Sequence, residues 1–278
     1  NNRFLGIAES KGQKLYLISN KEIMWERQIE GNISQIHVNK NGYVAVVIVD
    51  TSYKTVIQMF NSEGKEMFKT YLSSTRVSDI SISNDNKYLA IAEIDTAGTM
   101  IKSNIKIISI EKAQTDPINS VINTYAWENN ELVTNIEYQD KDKLICMDTN
   151  SIHMIVDGNN EVLTENGDKK ITFSSIKLSE NVVNIEEKSS GLFTADSIVK
   201  IINTTNRKES TYTANGVVKE IYTYSNIIGL NLGTEIHFIN TNGWLNKKYI
   251  AEQEITNVVL SESLAGIVYR DKIEIISL

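Results

Sequence analysis

Apolar and polar residues alternate in a short segment that recurs seven times: Leu15-Tyr16-Leu17-Ile18, Ile57-Gln58-Met59-Phe60, Ile105-Lys106-Ile107-Ile108, Ile152-His153-Met154-Ile155, Val199-Lys200-Ile201-Ile202, Ile236-His237-Phe238-Ile239 and Ile273-Glu274-Ile275-Ile276. Their first residues are 42, 48, 47, 47, 37 and 37 positions apart. A period of two marks a β-strand, because successive side chains point to opposite faces. A second pattern precedes each of the last six copies, with apolar residues at its first, fourth and sixth positions. It reads Ile33-Ile36-Val38, Val77-Ile80-Ile82, Val133-Ile136-Tyr138, Phe173-Ile176-Leu178, Val218-Ile221-Thr223 and Ile255-Val258-Leu260, the sixth position being polar in the fifth of these. Between the two patterns lie runs such as "YVAVVIVD" (43–50), "YLAIAEID" (88–95), "KLICMD" (143–148) and "IIGLNL" (227–232), rich in β-branched residues and without helical spacing. A weaker fourth segment follows, as in "KEMFKTYL" (65–72) and "WLNKKYI" (244–250).

Each repeat therefore predicts four strands, a to d, joined by hairpins. The a-to-b turns "NKNG" (39–42) and "SNDNK" (83–87) and the c-to-d turns "NSEG" (61–64), "DGNN" (157–160) and "NTNG" (240–243) carry the Asn, Asp and Gly that tight turns need. A period near ~40 to 45 residues is that of a four-stranded blade. The pattern predicts an all-β fold, a seven-bladed β-propeller of four-stranded antiparallel blades, filling residues 1–278 as a single domain. The stretch from Glu111 to Asn130 reads as an elaboration of the third blade. The first unit offers only b, c and d in "FLGIAES", "KLYLIS" and "IMWERQI", and the last ends after c, so counts of six and eight stay open.

Charge and composition narrow the function. A net charge of −7 and a pI near 5.2 exclude a nucleic-acid surface, which needs concentrated basic charge. The longest apolar run, Val44 to Val49, is far short of the ~18 residues of a membrane span. Asn1-Asn2-Arg3 contains neither an initiator Met nor a signal-like stretch, which favours an excised or processed ectodomain over a cytosolic protein. The single cysteine, Cys146, sits among apolar neighbours and is expected to be a buried thiol.

The repeat also decides how the histidines are read. His153 and His237 occupy the second position of strand c, which the other copies fill with Tyr16, Gln58, Lys106, Lys200 and Glu274, types with no shared ligand chemistry. A partly wet position between two packed ones explains all seven. His37 falls in strand a, and no metal site is expected. Trp25, Trp127 and Trp244 are expected to wedge between blades, given the area an aromatic buries. Carboxylates recur at the b-to-c corner: Asp50, Asp95 and Asp148, with Glu9 and Glu187 nearby. On the face around a propeller's channel mouth they would attract a cation or a basic segment, and Asp50, Asp95 and Asp148 are the candidate ligand-binding residues. The competing reading is that Asp favours turn starts through local hydrogen bonds.

"LYLISNKEIMWERQIEG" (15–31) and "FNSEGKEMFKTYL" (60–72) resemble the quinoprotein-type blade, with Trp25 and Phe68 at matching places of strand d. "ISISNDNKYLAIAEID" (80–95) is similar to the Ser-Asp-Gly-Lys-aliphatic strand pair of bacterial surface propellers. The Trp-Asp and Gly-His pairs of the eukaryotic repeat are missing. As a whole the chain resembles the membrane-anchored propellers of Gram-positive bacteria, which implies a location but no activity. One cysteine forbids the vicinal pair found in many cofactor-binding quinoproteins, and no cofactor is expected.

No nucleophile elbow, phosphate-cradling loop or converging His set occurs. The expectation is a non-catalytic, extracytoplasmic, monomeric scaffold that binds a protein or cell-wall component, anchored to the membrane by a segment outside these residues. The alternative is a carbohydrate-active hydrolase or lyase using a carboxylate pair such as Asp50 and Asp95.

Overall fold

The computed structural model of the chain describes residues 4–49, 52–127, 131–167, 169–189 and 195–278. Seven antiparallel sheets follow one another, each a meander in which consecutive strands are neighbours. They are the blades of a seven-bladed β-propeller, as the sequence pattern predicts. Residues 1–164 and 165–278 form two compact units.

The first unit holds four sheets. The first sheet is β1 (Phe4–Ala8), β2 (Lys14–Ser19) and β3 (Glu22–Gln28). The second is β4 (Asn32–Val38), β5 (Val44–Val49), β6 (Thr55–Phe60) and β7 (Glu66–Leu72). The third runs β8 (Thr75–Ile82), β9 (Tyr88–Asp95), β10 (Lys102–Ser109) and, after a helical turn α1 (Ile110–Ala113), β11 (Val121–Ala126). This turn is the elaboration expected between 111 and 130, capped by Ser109, whose side chain accepts from the Lys112 amide. The fourth is β12 (Asn135–Tyr138), β13 (Leu144–Met147), β14 (Ser151–Val156) and β15 (Asn159–Glu165).

The second unit holds three sheets. They are β16 (Ile171–Leu178), β17 (Asn181–Ser189), β18 (Ala195–Asn203) and β19 (Glu209–Ala214); β20 (Glu220–Tyr224), β21 (Ile227–Asn231), β22 (Glu235–Asn240) and β23 (Leu245–Ile250); and β24 (Asn257–Leu260), β25 (Leu264–Val268) and β26 (Ile273–Ser277). All seven alternating segments fall on the third strand, c, of their units: β2, β6, β10, β14, β18, β22 and β26. Among the described residues the first sheet lacks strand a and the last lacks strand d, as read from the sequence; the other five are four-stranded.

Each core is shared between neighbouring sheets. Leu15, Leu17 and Trp25 of the first sheet cluster with Val44, Val46 and Phe60 of the second. Ile57, Met59 and Phe68 of the second meet Ile80, Leu89 and Ile91 of the third, and Ala90, Ile105 and Trp127 meet Ile136, Leu144 and Cys146 of the fourth. In the second unit Val183, Val199 and Ile201 pack on Ile228, Leu230 and Ile239, and Phe238 on Val258, Ala265 and Ile267. Both faces of a middle strand are thus covered, so β5 and β6 are apolar and buried almost throughout.

Polar groups of the a strands tie neighbouring sheets together in the first unit. Asp79 accepts from the Ile136 amide at 2.9 Å and from Gln35, and Ser81 Oγ accepts from the Tyr138 amide at 2.9 Å. Close approach also constrains a turn. Gly64 has φ +75°, and an added Cβ would stand 2.7 Å from the Trp25 ring, so only glycine lets the second sheet's c-to-d turn lie against that indole. Trp25 Nε1 donates to Ser62 O at 3.0 Å in the same turn.

Candidate functional site

Strand c supplies the most regular polar feature. Its second residue points away from the sheet's own apolar rungs, and in six of the seven copies the described contacts give it a polar partner. Gln58 donates to Glu66 Oε2 at 2.6 Å. Lys106 Nζ lies 2.9 Å from Glu93 Oε2, His153 Nε2 lies 3.0 Å from Asp148 Oδ2, and Lys200 Nζ lies 3.9 Å from Glu186 Oε2. His237 Nε2 contacts Glu235, and Glu274 pairs with Lys272 at 2.5 Å.

Three of these pairs share one register. Lys106 faces Ile91, His153 faces Cys146 and Lys200 faces Asn184 across the b–c ladder. The acid sits two residues further along strand b each time, at Glu93, Asp148 and Glu186. A diagonal neighbour on the same face is within reach of a long side chain, so an acid there and a base on strand c meet without a turn between them. The partly wet position read from the repeat holds in five copies, where Tyr16, Lys106, His153, Lys200 and Glu274 are half-buried, whereas Gln58 and His237 are only 5% and 6% exposed.

The corner carboxylates separate on this register. Asp148 is not a rim acid. Strand β13 is four residues long where β9 is eight, so the sequence reaches its corner two residues early and Asp148 occupies the inward position of Glu93. It is buried, and its oxygens accept from Trp127 Nε1 at 2.7 Å, the Asn150 amide at 2.8 Å and the Ser151 amide at 2.6 Å. Burial pushes its pKa up, but His153, Trp127 and the two amides together outweigh this and hold the carboxyl below its ordinary value. The His153 ring stands edge-on to Trp127, 4.9 Å between centroids, and approaches the acid off the ideal hydrogen-bond direction. Asp95 is half-buried and Oδ1 accepts from the Ala97 amide at 2.9 Å, the local turn bond of the competing reading. Glu9 likewise faces its own turn, 3.4 Å from the Gln13 and Lys14 amides. Asp50 lies outside the described residues.

The histidines are distributed as the repeat requires. His237 is held between Glu235 and the Tyr212 hydroxyl, 2.8 Å from Nδ1; an Nε2–H donated to the acid leaves Nδ1 to accept from the tyrosine. Lys248 approaches Glu235 at 2.5 Å, and this bond leads the influences that lower the Glu235 pKa. His37 brings Ser81 and Glu137 near, at 3.5 and 3.7 Å from Nε2. Ser81 is fully buried and its Oγ is engaged by the Tyr138 amide, so no substrate reaches it as a nucleophile. Among the described residues no group of three or more His, Cys, Asp or Glu is placed to hold a metal ion. Cys146 is buried, and burial, then the charge of Asp148, pushes its thiol pKa well up, which makes it inert. Trp25 and Trp127 are buried as expected, whereas Trp244 is 72% exposed beside its c-to-d turn.

Meander sheets sharing cores with their neighbours, and acid–base pairs at a repeated rung, define the protein as a β-propeller with polar joints between strands. The chain belongs to DUF5711, a family of unknown function whose model matches residues 1–278. No curated protein sequence matches it significantly. Among solved structures it is similar to a prolyl endopeptidase (TM-score 0.67, 10% identity, covering 99% of this chain and 48% of that one). It is also similar to Kuenenia stuttgartiensis hydrazine synthase (0.61, 11%, 99% and 92%) and to the C-terminal WD40 domain of Sif2 (0.56, 9%, 100% and 93%). Such low identities show the fold alone. No helix among the described residues is long and apolar enough to cross a membrane.

Proposed function

We propose that the chain is a non-catalytic, extracytoplasmic scaffold that presents its b-to-c corners to a protein or cell-wall component. The observation that carries this reading is that its inward carboxylates stand beside basic or aromatic side chains of neighbouring strands. Glu93 pairs with Lys106, Asp148 with Trp127 and His153, and Glu235 with His237 and Lys248. What the corners offer solvent instead is contact surface, above all the loop after β9, where Met100 and Ile101 are 55% and 47% exposed. The likeness of residues 80–95 to bacterial surface propellers supports the location. Asp95, the described member of the carboxylate pair in the carbohydrate-hydrolase reading, holds the Ala97 amide of its own loop with Oδ1.

Immobilised protein incubated with solubilised cell envelope from its own source tests this, with retained proteins and wall fragments quantified by mass spectrometry. A specific component should be retained, and Met100→Asp/Ile101→Asp should reduce it at least ~10-fold, as loss of an apolar anchor does. Equal retention by the double variant, or no retained component, would overturn the proposal.

A further inference from the structure

Between the third and fourth sheets, at the end carrying the a-to-b and c-to-d turns, a pocket of about 220 Å³ opens to solvent. Its deep wall is apolar: Ile107, Leu144 and Ile155 are all buried. Three tyrosines line it, Tyr88 from β9, Tyr125 from β11 and Tyr138 from β12. At the open end stand Asp142 and Asp157, both exposed, and the described lining contains neither Lys nor Arg.

The composition of the wall selects a chemical class. An anion would meet two carboxylates with no cation to answer it. A neutral apolar group would suit the isoleucines but leave the acids unanswered. A bare metal ion would need several oxygen ligands converging, and the described residues supply no such group. An alkylated ammonium suits every part: its methyl or methylene groups fit the apolar wall, aromatic faces attract its charge, and the acids complement it from the rim. Burial, reinforced by Cys146 and the neighbouring Tyr125 and Tyr88, pushes the Tyr138 pKa up, so that wall stays neutral. The 220 Å³ corresponds to about seven water volumes at ~30 Å³ each, which suits a headgroup and not a polymer.

We propose that this pocket binds a small organic cation, a methyl- or alkyl-substituted ammonium, with its substituents among Tyr88, Tyr125 and Tyr138 and its charge directed to Asp142 and Asp157. The site is independent of the scaffold reading, and its loss would leave that reading intact.

Titration calorimetry on the whole chain tests it with choline and with 3,3-dimethylbutan-1-ol, which has the same shape and no charge. Choline should bind saturably, and the alcohol at least ~10-fold more weakly. Asp142→Asn/Asp157→Asn should weaken choline by a similar factor and leave the alcohol unchanged. Both positions are exposed and Asn tolerates the φ of +50° at 157, so this variant keeps the fold. Tyr125→Leu, checked for native circular dichroism, should weaken choline while retaining both acids. Absence of choline binding, equal binding of the alcohol, or an unchanged affinity in the double Asn variant would each overturn the proposal.

Discussion

Glu93 and Asp95 lie two residues apart on β9, so their side chains leave the same face of the sheet, yet they live in different solvents. Glu93 is fully buried and has Lys106 Nζ at 2.9 Å. Asp95 stands at the end of the strand, where water and the amide of its own turn solvate it. One rung of the ladder thus separates a carboxylate that the fold depends on from one that only shapes a loop. The difference teaches that distance from the corner, measured along the b–c register, sets an acid's role here more than its neighbours in sequence do.

The sharpest way to break that comparison is to remove the cation. Lys106→Met leaves the Glu93 carboxylate buried without its partner, and about 3–5 kcal/mol of stability should be lost, because the charge keeps its desolvation cost. Replacing both, as Glu93→Leu/Lys106→Met, should recover most of the loss, since an apolar pair of similar volume has nothing to desolvate. Urea denaturation midpoints of the three proteins measure this. A Lys106→Met protein as stable as wild type would place Glu93 outside the load-carrying set.

Asp148 sharpens the comparison through pH. Its folded-state pKa lies below the unfolded value of about 3.9, so its charge contributes stability that is complete above that value and lost as pH falls through the folded one. Asp148→Asn keeps the shape and abolishes the charge. It should cost about 1.5–3 kcal/mol at pH 7, the range for hydrogen bonds to a charged group. The gap between variant and wild type should then narrow at pH 3. A gap that does not change with pH would mean that packing, and not the carboxylate, accounts for the effect.

How much of this was legible beforehand follows from the same register. The seven c strands, the a strands, the turns and the incomplete first and last sheets were readable because period-two alternation and Asn/Gly turns are local signals. The partners of Lys106, His153 and Lys200 were not, because each acid lies on strand b or, for Asp148, just past its end, and only the pairing of b with c makes them diagonal neighbours. Asp148 was grouped with Asp95 because both precede a turn; the short β13, which ends at Met147, shifts it inward by two places. Trp244 escaped for another reason: it lies just after the sixth sheet's c-to-d turn, one residue before β23, so the wedge seen for Trp25 is unavailable to it.

The smallest effect is as informative as the largest. Asp95→Ala removes one exposed-side turn bond, from Oδ1 to the Ala97 amide, and leaves the ladder pairs with Thr75 and Lys102 intact. Such a change should cost no more than about 0.5 kcal/mol, with the midpoint nearly unmoved. The decisive control is Glu93→Ala in the same protein, which keeps the strand and its pairing while removing the inner acid and stranding Lys106. If the two alanine variants lost equal stability, the position along β9 would carry no information, and the corner itself, not the rung, would be what the fold requires.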